Sequence, residues 1–208
     1  MNIIGFDFSI NKPAACVLSN NKYYFYSWPY GLAEKYIEAY RKAGVNVTER
    51  TDNKDEGKDL SSKMRYEIEN SNYLANLITG TLFNYLNIDT YLSFEGLSYG
   101  SGGDKGIQLG AYKYILMSKL LSIVPLKNMF TYSPITIKSV AESAKKGMTK
   151  KDMITRFIQV GPVCKFRLSL FEHPEQFQSP RAKNWIENVD DLVDAYFALE
   201  TFRKKEGI

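Results

Sequence analysis

The sequence contains one histidine, His173, and two cysteines, Cys16 and Cys164. A Cys/His zinc site needs more donors than these, and any mechanism built on two histidines is excluded. Two cysteines make no disulfide framework, so both thiols are expected to be reduced and packed, and the chain cytoplasmic. Long hydrophobic runs are also missing. Nothing approaches the roughly 18 apolar residues of a membrane span, so no membrane partner is expected. Met1 to Phe8 reads as a short apolar strand, without the basic region and cleavage site of a signal peptide. Charge of one sign is not in large excess: the net charge is +4, which permits a nucleic-acid partner without demanding one.

What is present is an ordinary globular composition, 44% apolar and 24% charged. The 208 residues suit one domain with a sizeable core, or one domain carrying insertions. Aromatic residues are plentiful, 15 of them tyrosine, enough to fill a core and to leave some for stacking on bases.

Three β-rich runs open the chain, Asn2–Ser9, Pro13–Leu18 and Lys22–Trp28, and the turn residues Ser19-Asn20-Asn21 make the last two a hairpin. A helix is expected over Leu32–Ala43, then a polar surface loop over Gly44–Asp59, then a long helix over Leu60–Leu86. Asp89–Glu95 returns to strand character, Gly96–Gly106 is a glycine-rich loop, and Ile107–Leu121 is an amphipathic helix. Asn128–Tyr132 reads as a strand and Thr149–Ile158 as a helix. Gly161–Lys183, with three prolines, reads as irregular, and Asn184–Arg203 as a closing helix. This order implies a mixed sheet with helices on its faces.

The chemistry lies in where the acids fall. Asp7 interrupts an apolar strand, and Glu95 ends another directly before a glycine. Asp191 and Asp194 stand three apart on the last helix and so share a face, with Glu187 one turn earlier and Asp190 adjacent. Clustered carboxylates raise one another's pKa values unless a cation compensates, and hard oxygen donors suit magnesium. Taken singly, each acid could equally be a surface charge favouring a helix start or a loop. All four on this order of elements point to a shared site.

These residues resemble the motifs of the RuvC Holliday junction resolvases, which belong to the RNase H-like superfamily. Asp7 on the first strand, Glu95 ending a later one, and Asp191-Leu192-Val193-Asp194-Ala195 on the last helix carry the likeness. Leu109-Gly110 opening a helix after the loop adds to it, as do Ile137-Lys138 and the run Lys145-Lys146-Gly147-Met148-Thr149-Lys150-Lys151. The resemblance implies an RNase H-like α/β fold with a mixed five-stranded sheet flanked by helices, as one domain over 1–208 with insertions near 44–59 and 161–183. Those insertions are closer in style to phage or viral relatives, which would place the protein in a host cytoplasm.

The resemblance further implies two Mg²⁺ ions, with Mn²⁺ able to substitute, held by Asp7, Glu95, Asp191 and Asp194. It implies a homodimer that resolves four-way junctions or other branched DNA by paired nicks, with Ile107–Leu121 as a dimer face by analogy, although the apolar positions of that helix could equally be ordinary core. Lys138 and either Lys150 or Lys151 match the family's active-site lysines, the spacing from Gly147 favouring Lys151 and the spacing to the apolar Met153 favouring Lys150. Tyr99, Lys105, Lys138, Lys145, Lys146, Lys150 and Lys151 are the expected DNA contacts. Tyr99 stands one position from the family's inserted aromatic, where this chain has Ser98, so wedge and plain surface tyrosine both stay open. The rival readings are a nuclease of RNA–DNA hybrids or flaps and a catalytically silent junction-binding protein. An actin-like ATPase is excluded, since such proteins need two domains of this kind.

Overall fold

The computed structural model describes residues 1–51, 59–96, 104–141, 149–180 and 184–208. Strands β1 (Asn2–Asp7), β2 (Ala14–Ser19) and β3 (Lys22–Ser27) form an antiparallel meander. Asn20 and Asn21 supply the turn between β2 and β3, both at positive φ, as a two-residue hairpin turn requires. The chain continues through α1 (Glu34–Lys42), β4 (Val45–Val47), α2 (Leu60–Leu82), β5 (Thr90–Glu95), α3 (Asp104–Leu120) and β6 (Met129–Tyr132). It closes with α4 (Pro134–Val140), α5 (Lys150–Val160), α6 (Lys165–Glu172) and α7 (Glu187–Glu206).

The sheet is mixed, as expected, but among the described residues it has six strands rather than five, in the order β4-β3-β2-β1-β5-β6. The additional strand is β4, which lies in the segment expected to be a surface loop. Val45 pairs in parallel beside Phe25 and is buried, so one alternating Val-Asn-Val step outweighed its polar surroundings. Arg50 of the same segment is also buried, and its guanidinium donates to the Ile10 carbonyl at 2.5 Å. Residues 52–58 lie outside the described part.

A second correction concerns Gly161–Lys183. It contains α6 and a 3₁₀ turn, Pro174–Phe177, rather than irregular chain alone. Pro162 precedes α6 and Pro174 follows it, so these prolines punctuate the helix instead of breaking it. Phe166, Leu170 and Phe177 are buried, with the Phe166 and Phe177 rings packed against Tyr40. That burial is what orders the segment. Helix α3 also begins before Ile107, taking the last residues of the expected glycine-rich loop.

Each strand face has its own core. Ile4, Phe6, Phe94 and Leu92 meet α2 and α3 through Leu74, Ile78, Tyr112 and Leu116. On the other face Ile3, Cys16 and Phe25 meet α7 and α5 through Val193, Phe197, Leu199 and Phe157. Hydrogen bonds to the strands anchor helix α7. The Ser93 hydroxyl donates to the Ala198 carbonyl at 2.6 Å, and the Asn188 amide donates to the Ser27 hydroxyl at 2.8 Å.

The closest approach is at Gly5 of β1. A Cβ there would stand 2.2 Å from the Ala195 carbonyl oxygen and 2.6 Å from the Leu199 nitrogen, both main-chain atoms of α7. Neither can yield without moving the helix. Gly5→Ala is therefore expected to destabilise the fold by about 3 kcal/mol, at the upper end of ordinary overpacking. Chemical denaturation of the two proteins checks this, and a loss under 1 kcal/mol would show that α7 is free to shift.

Candidate active site

Strands β1 and β5 run parallel with Gly5 paired to Ser93. Asp7 and Glu95 each follow two residues later, so strand alternation sends both carboxylates toward α7 at the same end of the sheet. Asp194 comes down from α7 to meet them. Carboxylate oxygens of Asp7, Glu95 and Asp194 lie within 4.8 Å of one another. Asp191, one turn earlier on α7, hydrogen-bonds to the Asp7 side chain and stands beside the trio. The adjacent Asp190 is buried and pairs with Lys150.

Burial and mutual repulsion push these acids toward protonation. Desolvation raises Asp7 well above the usual aspartate value, and the charges of Asp191 and Glu95 raise it further. Asp194 is raised by burial and then by Asp7 and Glu95; Asp191 by burial and then by Asp190. Glu95 is also raised by burial, against the opposing charges of Lys138, Lys113 and Lys150. Such a set is poorly satisfied by protein groups alone. Its donors are all hard oxygens with no nitrogen or sulfur among them, so the residues fit a hard divalent cation such as Mg²⁺.

Among the described residues, three lysines stand around the acids. Lys150 opens α5, where Thr149 caps the helix in a reciprocal box with Asp152. A cation in a first helical turn opposes the helix dipole, so a local preference does not explain it. Its partner does: the ammonium bonds to Asp190 while the side chain stays 71% exposed. Desolvation acts to lower its pKa, but the Asp190 hydrogen bond and the field of Asp190, Asp191 and Asp194 outweigh that and raise it. The spacing left Lys150 and Lys151 as alternatives; Lys150 is the one placed against the acids. Lys138, in the last turn of α4, acts on Glu95. Tyr99, Lys145 and Lys146 lie outside the described residues, as do the side chains of Lys105 and Glu187.

Lys113 was not anticipated. It is only 5% exposed, on the buried side of α3 between Tyr112 and Leu116. Its ammonium donates to the main-chain carbonyl of Glu95 and sits 5.5 Å from the Phe94 ring centre. Burial lowers its pKa to about 8, against the raising fields of Glu95 and Asp7. The available signal was a lone lysine at a helical repeat position otherwise occupied by Leu109, Tyr112, Leu116 and Leu120. A cavity of about 350 Å³ borders the acids, lined by Ser9, Asn11, Lys12, Leu109, Lys150 and Asp191. The β1–β2 loop residues in it were likewise not foreseen.

No family model and no curated protein sequence matches the chain. Solved structures do. RuvC of Thermus thermophilus superposes with a TM-score of 0.55 at 9% identity, over 99% of this chain and 97% of that one. RuvC of the same organism in complex with a Holliday junction substrate gives the same score and identity, over 96% of its chain. The yeast mitochondrial Holliday junction resolvase Ydc2 gives 0.52 at 10% identity, over 99% of this chain and 78% of that one. The chain thus has the RuvC-type, RNase H-like fold.

The raised acids give the metal-free protein a defined pH dependence. Between the unfolded value near 3.8 and the higher folded values, the folded state binds more protons. Stability is therefore fully present below that unfolded value and lost as pH rises through the folded pKa values. In EDTA the melting temperature should fall from pH 4 toward pH 8, and Asp194→Asn should raise it at pH 8 by about 2–4 °C. Added Mg²⁺ should stabilise the unaltered protein more at pH 8 than at pH 5. Calorimetry across pH checks all three, and a flat profile would show that the acids are not mutually strained.

Proposed function

We propose that the protein is a metal-dependent endonuclease, one domain over 1–208, that resolves four-way DNA junctions by paired nicks. The observation that carries this is the convergence of Asp7, Glu95 and Asp194, with Asp191 beside them, at one end of a RuvC-type sheet. RuvC itself has been solved with a Holliday junction substrate. Both cysteines are free thiols, in keeping with a reducing, cytoplasmic setting.

Asp7, Glu95, Asp191 and Asp194 would hold two Mg²⁺ ions, with Mn²⁺ able to replace them. Bound there, the ions would supply Lewis-acid charge at the phosphodiester and make water acidic enough to act as nucleophile near neutral pH. The protein's own groups place the strand. Lys150, steadied by Asp190, presents a fixed positive charge beside the acids to the scissile phosphate, with Lys138 and Lys151 supporting it. Lys12 lies in the neighbouring cavity, suited to a flanking phosphate. Such contacts position DNA without reading sequence, and they make affinity fall with salt. Lys113 grips the carbonyl of Glu95 from inside the fold and fixes the end of β5. Hydrolysis leaves 5′-phosphate and 3′-hydroxyl ends.

A homodimer would match the junction's twofold symmetry. Ile107, Tyr114 and Leu121 recur every seven residues along and just past α3 and are exposed, Ile107 by 75% and Tyr114 by 66%. Leu60, Met64 and Ile68 of α2 are exposed at four-residue intervals, and Gln108 bonds Glu67 across the two helices at 3.0 Å. Two adjacent apolar rows of this kind suit a second copy of the chain.

The first test is cleavage of a labelled four-way junction, with and without Mg²⁺, against linear duplex, flap and RNA–DNA hybrid. Symmetric, Mg²⁺-dependent nicks confined to the junction are expected, and Asp7→Asn should lose cleavage by at least about a thousandfold while keeping junction affinity. Robust cutting by that variant would refute the site. Cutting of hybrid or flap alone would move the substrate, and binding without cutting would favour a silent junction-binding protein. For the dimer, light scattering should give twice the chain mass, and Ile107→Glu with Tyr114→Glu should give one. A monomeric unaltered protein would remove the dimer from the proposal.

A further inference from the structure

A second cavity, of about 490 Å³, meets the first at Lys150. Lys150, Lys151 and Thr155 of α5 line one side, with Ile154 beneath them, and Gln178, Asn184, Trp185 and Asp190 line the other. Its volume falls within the range of about 300–1,000 Å³ typical of small-ligand sites. Lys150 joins it directly to the acids, since the cavity of Ser9, Asn11 and Lys12 touches Asp191 and this one touches Asp190.

Trp185 is held in place by backbone. Gln178 and Trp185 form an antiparallel bridge, the Ser179 N–H donates to the Asn184 carbonyl at 2.8 Å, and the Ile186 N–H donates to the Phe177 carbonyl at 3.0 Å. The indole is only partly buried. Among the described residues, neither its N–H nor the side-chain amides of Gln178 and Asn184 make a hydrogen bond. The cavity therefore offers a flat aromatic surface, two amides that bond no described residue, and the ammonium of Lys151, beside that of Lys150 in its pair with Asp190. An unpaired nucleotide asks for that set: a face to stack on, partners for a base edge, and positive charge for a phosphate. A free anion would use only the lysines, and an apolar ligand only the indole and Ile154.

We propose that this cavity is a subsite for one unstacked nucleotide of the strand being cut, its base on Trp185 and its phosphate on Lys151. The inference rests on the nuclease reading and extends it. It means that the cut strand is gripped by a base displaced from its stack as well as by its backbone, so that continuous duplex is a poor occupant. It also gives a place where base identity near the cut is sensed, through Gln178 and Asn184.

The protein reports on this itself. Its two tryptophans are Trp28 and Trp185. Trp28 is fully buried, its N–H bonded to Thr81 at 3.2 Å, so a change in emission on binding DNA belongs to Trp185. The Asp7→Asn variant of the 208-residue chain is titrated with an intact four-way junction, and with junctions carrying one abasic position stepped along each strand near the crossover. The intact junction is expected to quench the emission, and Trp185→Phe to abolish the quench. One abasic position is expected to abolish it in the tryptophan-containing protein and to weaken binding about tenfold. Because the DNA is altered rather than the fold, the loss is not a folding defect. Tight junction binding without any quench would overturn the subsite while leaving the nuclease reading intact, as would a quench indifferent to every abasic position. A protein that neither binds nor cuts branched DNA would remove the nuclease reading and the subsite with it.

Discussion

The site depends on the absence of one side chain. Gly5 lets the backbone of α7 lie against β1 at a distance that no other residue permits. Asp7 is two residues further along the same strand face, and Asp194 immediately precedes Ala195, whose carbonyl makes the contact. The spacing between the acids is thus set by a main-chain packing distance rather than by the acids, which repel one another. Ser93 and Asn188 lock the same helix to β5 and β3. The repulsion is carried by a scaffold fixed at several points.

That arrangement explains the cations placed around it. Lys113 is buried and Lys150 is exposed, and they act from opposite sides. One secures the main chain of Glu95 from within the core, and the other projects from a helix start into the cleft where its counter-ion, Asp190, steadies it. A fold selected for stability alone would not bury a lysine beneath a glutamate or open a helix with two lysines. These are local conflicts of the sort expected where a sequence serves chemistry as well as packing.

Much of this was legible in the residues. The order of elements along the chain and the first hairpin followed from alternation and turn chemistry, and the four acids were singled out by their positions at strand ends and on one helix face. The sixth strand was hidden because three residues, Val45-Asn46-Val47, are too few for a periodic pattern, and their pairing depends on Phe25 far away in the chain. Helix α6 was hidden by its flanking prolines, which read as breakers although they stand outside it. The choice between Lys150 and Lys151 could not be made from spacing, since it turns on a tertiary contact with Asp190. Lys113 was visible only as an anomaly in an apolar stripe, and Trp185 had no motif around it. Long-range pairing is what a local reading lacks, and each of these depends on it.

The first strand and the last helix supply opposite halves of the acidic cluster, and that has a consequence for how the protein is made. As the ribosome releases the chain, β1 emerges early but has no cover for one face until residues 187–206 follow. Contacts this distant in sequence also form slowly, because a long loop must close before they are rewarded. A nascent or prematurely terminated product thus carries Asp7 and Glu95 without Asp191 and Asp194, and cannot assemble the cleft. The cleft is a product of both halves meeting: Asp7 and Glu95 gain Asp194 as a neighbour within 4.8 Å only when the helix over 187–206 has docked on the first strand.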